Sequence, residues 1–133
     1  MSSPGIVTLR SPYSFAETVQ RLLAALAAKG IKVFATIDQQ AEAQAVGLTM
    51  PPTTLVIFGS PRAGTPVMLA SPRAGVDLPL KVLVCEVEPG QVDVMCTPAS
   101  ELIARHSLPP ELTANLVPGE RLIASVLGHD ASA

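Results

Sequence analysis

Apolar residues in the first part of the chain recur at the spacing of a helix. Between positions 14 and 30 they fall every three or four residues: Phe15, Val19, Leu22, Leu23 and Leu26. This spacing predicts an amphipathic helix that buries one face. Ser14 and Glu17 form a capping box at its start, and Lys29-Gly30 supplies the cation and the left-handed glycine that often close a helix.

Other segments alternate apolar and polar residues or are apolar throughout, which predicts strands. The predicted strands are 6–9, 31–38, 53–58, 78–87 and 91–97. Helical patterns cover 39–46, 99–107 and 111–127, and Pro118-Gly119 is expected to break or kink the last of them. The mixture of strands and helices in this order predicts an α+β domain.

The last two strands are predicted to form a hairpin around Glu88-Pro89-Gly90-Gln91, because Pro and Gly at the two central positions favour a type II turn. If Glu88 pairs with Gln91, one packed face carries Cys85, Val87, Val92, Val94 and Cys96. We therefore expect both cysteines to be buried and reduced.

The composition excludes some functions. The 133 residues suit a single domain, with a compact part at about 6–127 and tails at 1–4 and 129–133. Aromatic residues make up 3% and the net charge is −2, which argues against nucleic-acid binding, a function that uses stacking aromatics and basic surfaces. No apolar stretch is long enough to cross a membrane, and the first residues lack a secretory signal pattern. Two cysteines without a CxxC spacing suit the cytoplasm.

One loop, 59–66, has the composition of an anion-binding site. Thr65-Pro66 is expected to cap and open a helix whose first amides lack acceptors. The candidate ligand-binding residues of this loop are Gly59, Ser60, Arg62, Gly64 and Thr65. The two glycines allow a close backbone approach, and the arginine adds a fork of donors for an oxyanion. The alternative is a rigid turn that only redirects the chain.

Asp77 and His106 complete the set of candidate site residues. Asp77 precedes a strand, where it either braces the preceding loop or serves as an acid or base. His106 lies near the end of a helix, where a cation interacts favourably with the helix dipole, so a capping role is the alternative to a catalytic one. Neither histidine has a cysteine or carboxylate at the spacing of metal ligands, so no metal site and no cofactor are predicted.

Three segments resemble one known family. They are 14–30, 47–53 and 58–66 with its continuation into 77–82, which contain the strings Gly-x-Pro-x-x-Gly-Thr and Asp-Leu-Pro-Leu-Lys. Over about 7–108 the chain is similar to the bacterial and archaeal domain-of-unknown-function family 302. The resemblance implies a β-α-β(4)-α arrangement like that of the TATA-box-binding protein, with a mostly antiparallel five-stranded sheet packed by helices. It also implies a homodimer, but no established activity. The chain departs from the family at Thr97-Pro98, where the family often has Asp-Pro.

Three hypotheses of function follow. The leading one is a homodimeric module that binds a small anionic or apolar ligand beside the 59–66 loop. Apolar residues are 48% of the chain, and they require burial in a core or in a subunit interface. The second hypothesis is an interaction module whose apolar surface serves only for dimerisation or for docking a protein partner. The third is an enzyme that uses Asp77, His106 and Arg62 as polar groups.

Overall fold

A computed structural model describes residues 5–129, so the predicted tails lie outside the described residues except for His129. The strands are β1 (Val7–Arg10), β2 (Lys32–Asp38), β3 (Thr53–Gly59), β4 (Leu80–Glu88) and β5 (Gln91–Cys96). The α-helices are α1 (Phe15–Ala28), α2 (Gln39–Ala45), α3 (Pro61–Ala70), α4 (Ala99–Arg105) and α5 (Thr113–Val126). Short 3-10 helices cover Pro72–Asp77 and Pro110–Leu112. Within 5–129, none of these helices has both the length and the apolar character that a membrane crossing needs.

The strands form one sheet in the order β1-β5-β4-β3-β2, and every neighbouring pair is antiparallel. Strands β1 and β2 are the two edges, so the connection through α1 crosses the whole width of the sheet. The predicted α+β fold with an antiparallel five-stranded sheet packed by helices is confirmed.

The strand register divides the sheet into two faces, because directly paired residues point to the same side. The inner face carries Val56, Phe58, Val82, Val84, Val92, Val94 and Cys96, which pack in one buried cluster with residues of α1 and α5. The apolar residues of the outer face are Ala35, Ile37, Leu55, Ile57, Leu83 and Met95, and the exposed Lys81, the partner of Ile57, lies at the border of this group. The six apolar residues are half-buried, and none of them belongs to a buried cluster of residues 5–129. The buried cluster that joins α1 and α5 to the sheet is therefore on the inner face.

Helix α1 follows its sequence signals closely. Its N-cap is Ser14, whose hydroxyl accepts a hydrogen bond from the Glu17 amide at 3.2 Å, as the capping box predicts. The Glu17 carboxylate instead accepts from Nε of Arg21 at 2.8 Å. Leu22 and Leu26 are 2% exposed, so the predicted apolar stripe is the face that packs on the sheet.

The predicted hairpin register is wrong by one residue. Glu88 pairs with Gln91 as expected, but the register then shifts, which leaves Val87 as an extra residue in β4. Gly90 has a φ of 78°, which a type II turn requires at this position. Since a type II turn twists against its flanking strands, an extra residue in one strand restores the right-handed twist.

This bulge separates the two cysteines. Cys96 pairs with Val82 on the inner face and is buried, as predicted. Cys85 pairs with Asp93 and lies on the outer face, where it is half-buried, so its predicted burial on the packed face is wrong. Both cysteines are free.

Pro118-Gly119 was predicted to break or kink the last helix, and the break is wrong, because α5 continues through both residues. A Cβ atom on Gly119 would lie 2.9 Å from Cε2 of Phe58 and 3.2 Å from Cδ1 of Leu80. Glycine therefore lets α5 approach the sheet closely, and packing holds the helix across the proline.

Candidate functional site

A pocket of about 400 Å³ opens where β3 ends and β4 begins, with α3 and α5 as its other walls. We name it the α3–α5 pocket. Its apolar lining residues are Phe34, Pro61, Ala63, Met68, Leu78, Pro79, Leu80 and Leu116, and the others are Gly59, Ser60, Gly64, Thr65 and Asn115. This volume, with a mainly apolar wall and a few polar groups, is typical of small-molecule sites.

Four of the candidate residues from the 59–66 loop lie in this lining, namely Gly59, Ser60, Gly64 and Thr65. The loop is nevertheless shaped differently from the prediction. Helix α3 begins at Pro61 with Ser60 as its N-cap, so Thr65 and Pro66 lie inside the helix and the prediction that they open it is wrong. A Ser-Pro pair suits a helix start as well as a Thr-Pro pair does, and the earlier pair is the one that folds this way.

This helix start leaves little free backbone for an anion. The carbonyl oxygen of Ser60 accepts hydrogen bonds from the amides of Ala63 and Gly64, at 3.0 and 2.8 Å. Pro61 has no N–H group, so among the described residues Arg62 has the one first-turn amide without a backbone acceptor. The Arg62 side chain is exposed and does not line the pocket. The loop thus offers fewer free first-turn amides than the sequence predicted.

Phe34 reaches the pocket from the edge strand because of a bulge. The register between β2 and β3 shifts between Val33 and Ala35, which leaves Phe34 as the extra residue. Bulges turn a side chain away from the regular alternation of a strand, and they are frequent beside functional sites. The Phe34 side chain is 45% exposed, and the Nζ atom of Lys32 lies 4.9 Å from the centre of its ring.

Asn115 fixes the distance between the two helical walls. Its Nδ2 atom donates a hydrogen bond to the carbonyl oxygen of Ala63 at 3.0 Å, which joins α5 to the first turn of α3. The neighbouring Leu116 is 3% exposed and forms the deep part of the apolar wall. The walls are therefore tied to each other, as expected for a pocket that exists before its ligand binds.

The structure brings Asp77 and His106 together, outside the pocket. The Nε2 atom of His106 lies 2.6 Å from Oδ2 of Asp77, and Nη1 of Arg105 lies 3.1 Å from Oδ1. Burial raises the pKa of Asp77, but the hydrogen bonds from His106 and Arg105 outweigh it and hold the pKa below its ordinary value. The space beside the pair is too small for a water molecule. The pair therefore joins the Pro72–Asp77 turn to α4, and the structure does not group it with Arg62.

The sequence matches a known protein family over nearly all of its described residues. The sequence model of the family described as "Domain of unknown function DUF302" matches residues 7–126. The chain belongs to this family. The crystal structure of an uncharacterized conserved DUF302 protein from Bacillus stearothermophilus superposes with a TM-score of 0.78 over 95% of this chain and 98% of that one. The two chains are 21% identical, so this similarity shows the shared DUF302 fold alone.

Curated proteins of Brucella contain a related segment. The protein named "Fluoride-specific ion channel FluC 1" of Brucella suis biovar 1 is 40% identical over 104 residues, which are 78% of this DUF302 chain and 41% of that protein. The protein of the same name from Brucella abortus biovar 1 is also 40% identical over 104 residues, which are 38% of its length. The DUF302 chain thus spans about two fifths of the curated relatives that it matches.

Sequence reasoning missed the lining residues that come from outside the loop. Phe34 falls in the polar row of the β2 alternation beside Lys32, and an aromatic residue in a polar row was the one available signal. Asn115 and Leu116 come from a helix that begins far along the chain from the loop. Their contribution depends on how α5 packs, which no local pattern of this DUF302 sequence contains.

Proposed function

We propose that this DUF302 chain is a homodimeric cytoplasmic module that binds a small, mainly apolar ligand in the α3–α5 pocket. The observation that carries the proposal is the pocket itself, which has about 400 Å³ of space between walls tied by the Asn115–Ala63 hydrogen bond. Burial of apolar ligand surface supplies the affinity, and the few polar groups of the lining orient the ligand. The free cysteines suit a reducing compartment.

The lining favours an apolar body for the ligand over a bare inorganic anion. A bare anion needs several converging donors, but in the first turn of α3 the amides of Ala63 and Gly64 already donate to the carbonyl oxygen of Ser60. An apolar body instead gains from contact with side chains such as Leu78 and Leu116, which have no polar atoms.

A larger side chain at Gly64, which lines the pocket, would fill the space proposed for the ligand and so tests this proposal. A Cβ atom there would meet no atom closer than Cδ1 of Leu78, at 4.0 Å, so a larger side chain can enter the pocket without a backbone clash. We expect calorimetry to detect binding of 1-octanol to the native protein, a similar or slightly weaker signal with Gly64→Ala, and none with Gly64→Leu. Circular dichroism checks that both variants are folded. Absence of binding to the native protein, or equal binding to Gly64→Leu, would refute the pocket as the binding site.

The outer face of the sheet supports the homodimer. Its apolar residues are Ala35, Ile37, Leu55, Ile57, Leu83 and Met95, which are half-buried and belong to neither buried cluster of the described chain. A contiguous apolar surface of this kind on a sheet is typical of an interface, and two copies of one face related by a two-fold axis bury it on both chains.

Light scattering over a dilution series tests the dimer. We expect twice the chain mass of 13.8 kDa for the native protein. Leu83→Lys places a charge on the outer face and should yield monomers, whereas Leu69→Lys, at a residue of α3 that is 80% exposed, should leave the dimer intact. A native monomer at every concentration removes the dimer from the proposal. A dimer that binds no apolar ligand instead favours the interaction-module hypothesis.

The Brucella relatives support a second candidate function, which is an accessory role beside a membrane channel. Proteins of that name contain a segment 40% identical to this chain, and the segment is only 38–41% of their length. A channel needs segments that cross the bilayer, and residues 5–129 of this chain contain no such helix. We therefore propose that any channel activity of the relatives resides in their remaining part, and that the DUF302 module acts on that part.

This second candidate is testable with the Brucella suis protein itself. Its remaining part, produced without the DUF302-like segment, would be reconstituted in liposomes and assayed for fluoride efflux with and without this chain added. Co-purification of the chain with the truncated protein, together with a change in efflux, is the expected result. If the chain neither binds nor alters efflux, the accessory role is wrong.

A further inference from the structure

We propose that the ligand of the α3–α5 pocket is an amphipathic acid, with an apolar body inside the pocket and one anionic headgroup at a basic corner of its rim. This inference rests on the proposed pocket function and adds the charge of the ligand to it. Two lysine side chains, which the sequence motifs did not single out, carry the argument.

Lys32 places the first positive charge at this corner. Its cross-strand partner is Gly59, a residue of the lining. Its Nζ atom lies 4.9 Å from the ring centre of Phe34, which also lines the pocket. The cation–π contact holds the ammonium group beside the rim without neutralising its charge.

Lys81 places the second charge at the same corner. Its Nζ atom lies 3.5 Å from the carbonyl oxygen of Pro79, a lining residue. Pro79 also adjoins Gly59, because its Cβ atom is 3.5 Å from the position that a Cβ of Gly59 would occupy. The ammonium groups of Lys32 and Lys81 thus flank the contact between Gly59 and Pro79.

These charges are not neutralised by carboxylates of the described chain. No Asp or Glu lines the pocket, and none of the ion pairs found within residues 5–129 includes Lys32, Lys81 or Arg62. The whole chain nevertheless has a net charge of −2, so the basic corner is a local feature. Positive charge beside an apolar cavity favours a ligand that has an anionic end and an apolar remainder.

The exposed position of the two charges also allows the anionic headgroup of the ligand to stay in water, which avoids the free-energy cost of burying an ion. Both lysine residues are exposed, so a headgroup at the rim remains hydrated while its apolar body enters the pocket. The deep wall at Leu116, which is 3% exposed, offers no partner for a charge and suits the apolar end. An amphipathic acid therefore suits both parts of the site, with its headgroup at the two lysines and its apolar body against the wall at Leu116.

Calorimetry with a short set of probes tests the inference. The probes are hexanoate, octanoate, 1-octanol and inorganic phosphate. Affinity should rise about fourfold for each added methylene, hence about sixteenfold from hexanoate to octanoate. Octanoate should bind more tightly than 1-octanol, and phosphate should not compete. In the double variant Lys32→Ala/Lys81→Ala, the affinity for octanoate should fall by about two- to fivefold for each lysine removed. The affinity for 1-octanol should not change. The matched control is Lys29→Ala, which removes the same charge at the C-cap of α1.

The outcomes separate this inference from the proposed function. If octanoate and 1-octanol bind equally and the lysine substitutions change neither, the charge assignment is wrong while the apolar pocket stands. If phosphate binds as tightly as octanoate, the ligand is a bare anion and the inference is wrong. If none of the probes binds, both the inference and the pocket function fail.

Discussion

Gly119→Ala is expected to destabilise this protein, although alanine is the better residue for a helix. Gly119 is the seventh residue of the fourteen-residue α5, and it is buried. In an exposed helix interior, replacing glycine by alanine stabilises by about 1 kcal/mol. Here the added Cβ would lie 2.9 Å from Cε2 of Phe58 and 3.2 Å from Cδ1 of Leu80.

The clash outweighs the gain in helix propensity because Phe58 cannot easily move. Its side chain is 1% exposed, and it belongs to the buried cluster between the sheet and α1 and α5. Forcing a methyl group into a packed core costs about 1–3 kcal/mol. The net effect on the free energy of unfolding is therefore a loss of about 1 kcal/mol, with about 2 kcal/mol as the upper end.

Gly64→Ala is the matched control for this substitution. Gly64 is also inside a helix, α3, but a Cβ there meets nothing closer than 4.0 Å. The free energy of unfolding of the Gly64→Ala variant should therefore be higher than that of the native protein by about 0.5–1 kcal/mol. Urea unfolding followed by circular dichroism measures both variants against the native protein, at one protein concentration because a dimer makes stability concentration-dependent.

The steric reasoning is refuted if Gly119→Ala stabilises the protein as much as Gly64→Ala does. A double-mutant cycle with Phe58→Leu examines the cause directly, since leucine lacks the Cε2 atom. The cost of Gly119→Ala should fall in the Phe58→Leu background, and an unchanged cost would mean that the clash lies elsewhere.

Elements with complete local signals were predictable from the sequence. Helix α1 has its N-cap at Ser14, its apolar period and its closing glycine at Gly30 within one short segment, so local chemistry determines it. The strands were predicted from alternation or from continuous apolar runs, with ends that differ by at most two residues from those observed.

Features set by sheet twist or by packing were not predictable in this way. The bulge at Val87 follows from the twist of the hairpin, and it reverses the face on which Cys85 lies. Two residue pairs, Ser60-Pro61 and Thr65-Pro66, both match the preferred start of a helix, so the sequence alone did not determine where α3 begins. Four residues of the 59–66 loop line a pocket, but the apolar character of the pocket comes from Leu116 and other residues distant in sequence.

Two further predictions concern titratable groups. A thiol reagent should modify Cys85 before Cys96 in the native protein, because burial, with a smaller contribution from the charge of Glu120, raises the pKa of Cys96 to about 11. Equal labelling rates of the two cysteines would contradict this prediction. Because the proposed dimer covers the outer face, Cys85 should also react more slowly as the protein concentration rises.

The second of these predictions follows from the lowered pKa of Asp77. A carboxyl group whose native pKa lies below its unfolded value of 3.8 stabilises the fold above that pH, and the contribution is lost as the pH falls through the native pKa. The Asp77→Asn variant keeps the size of the side chain but cannot carry the charge that His106 and Arg105 contact. The deficit of this variant in unfolding free energy, measured by urea titration, should therefore be present above about pH 5 and shrink below about pH 4. A deficit that is equally large at about pH 2 would mean that Asp77 contributes through packing and hydrogen-bond geometry, and that its charge is not what holds the Pro72–Asp77 turn to α4.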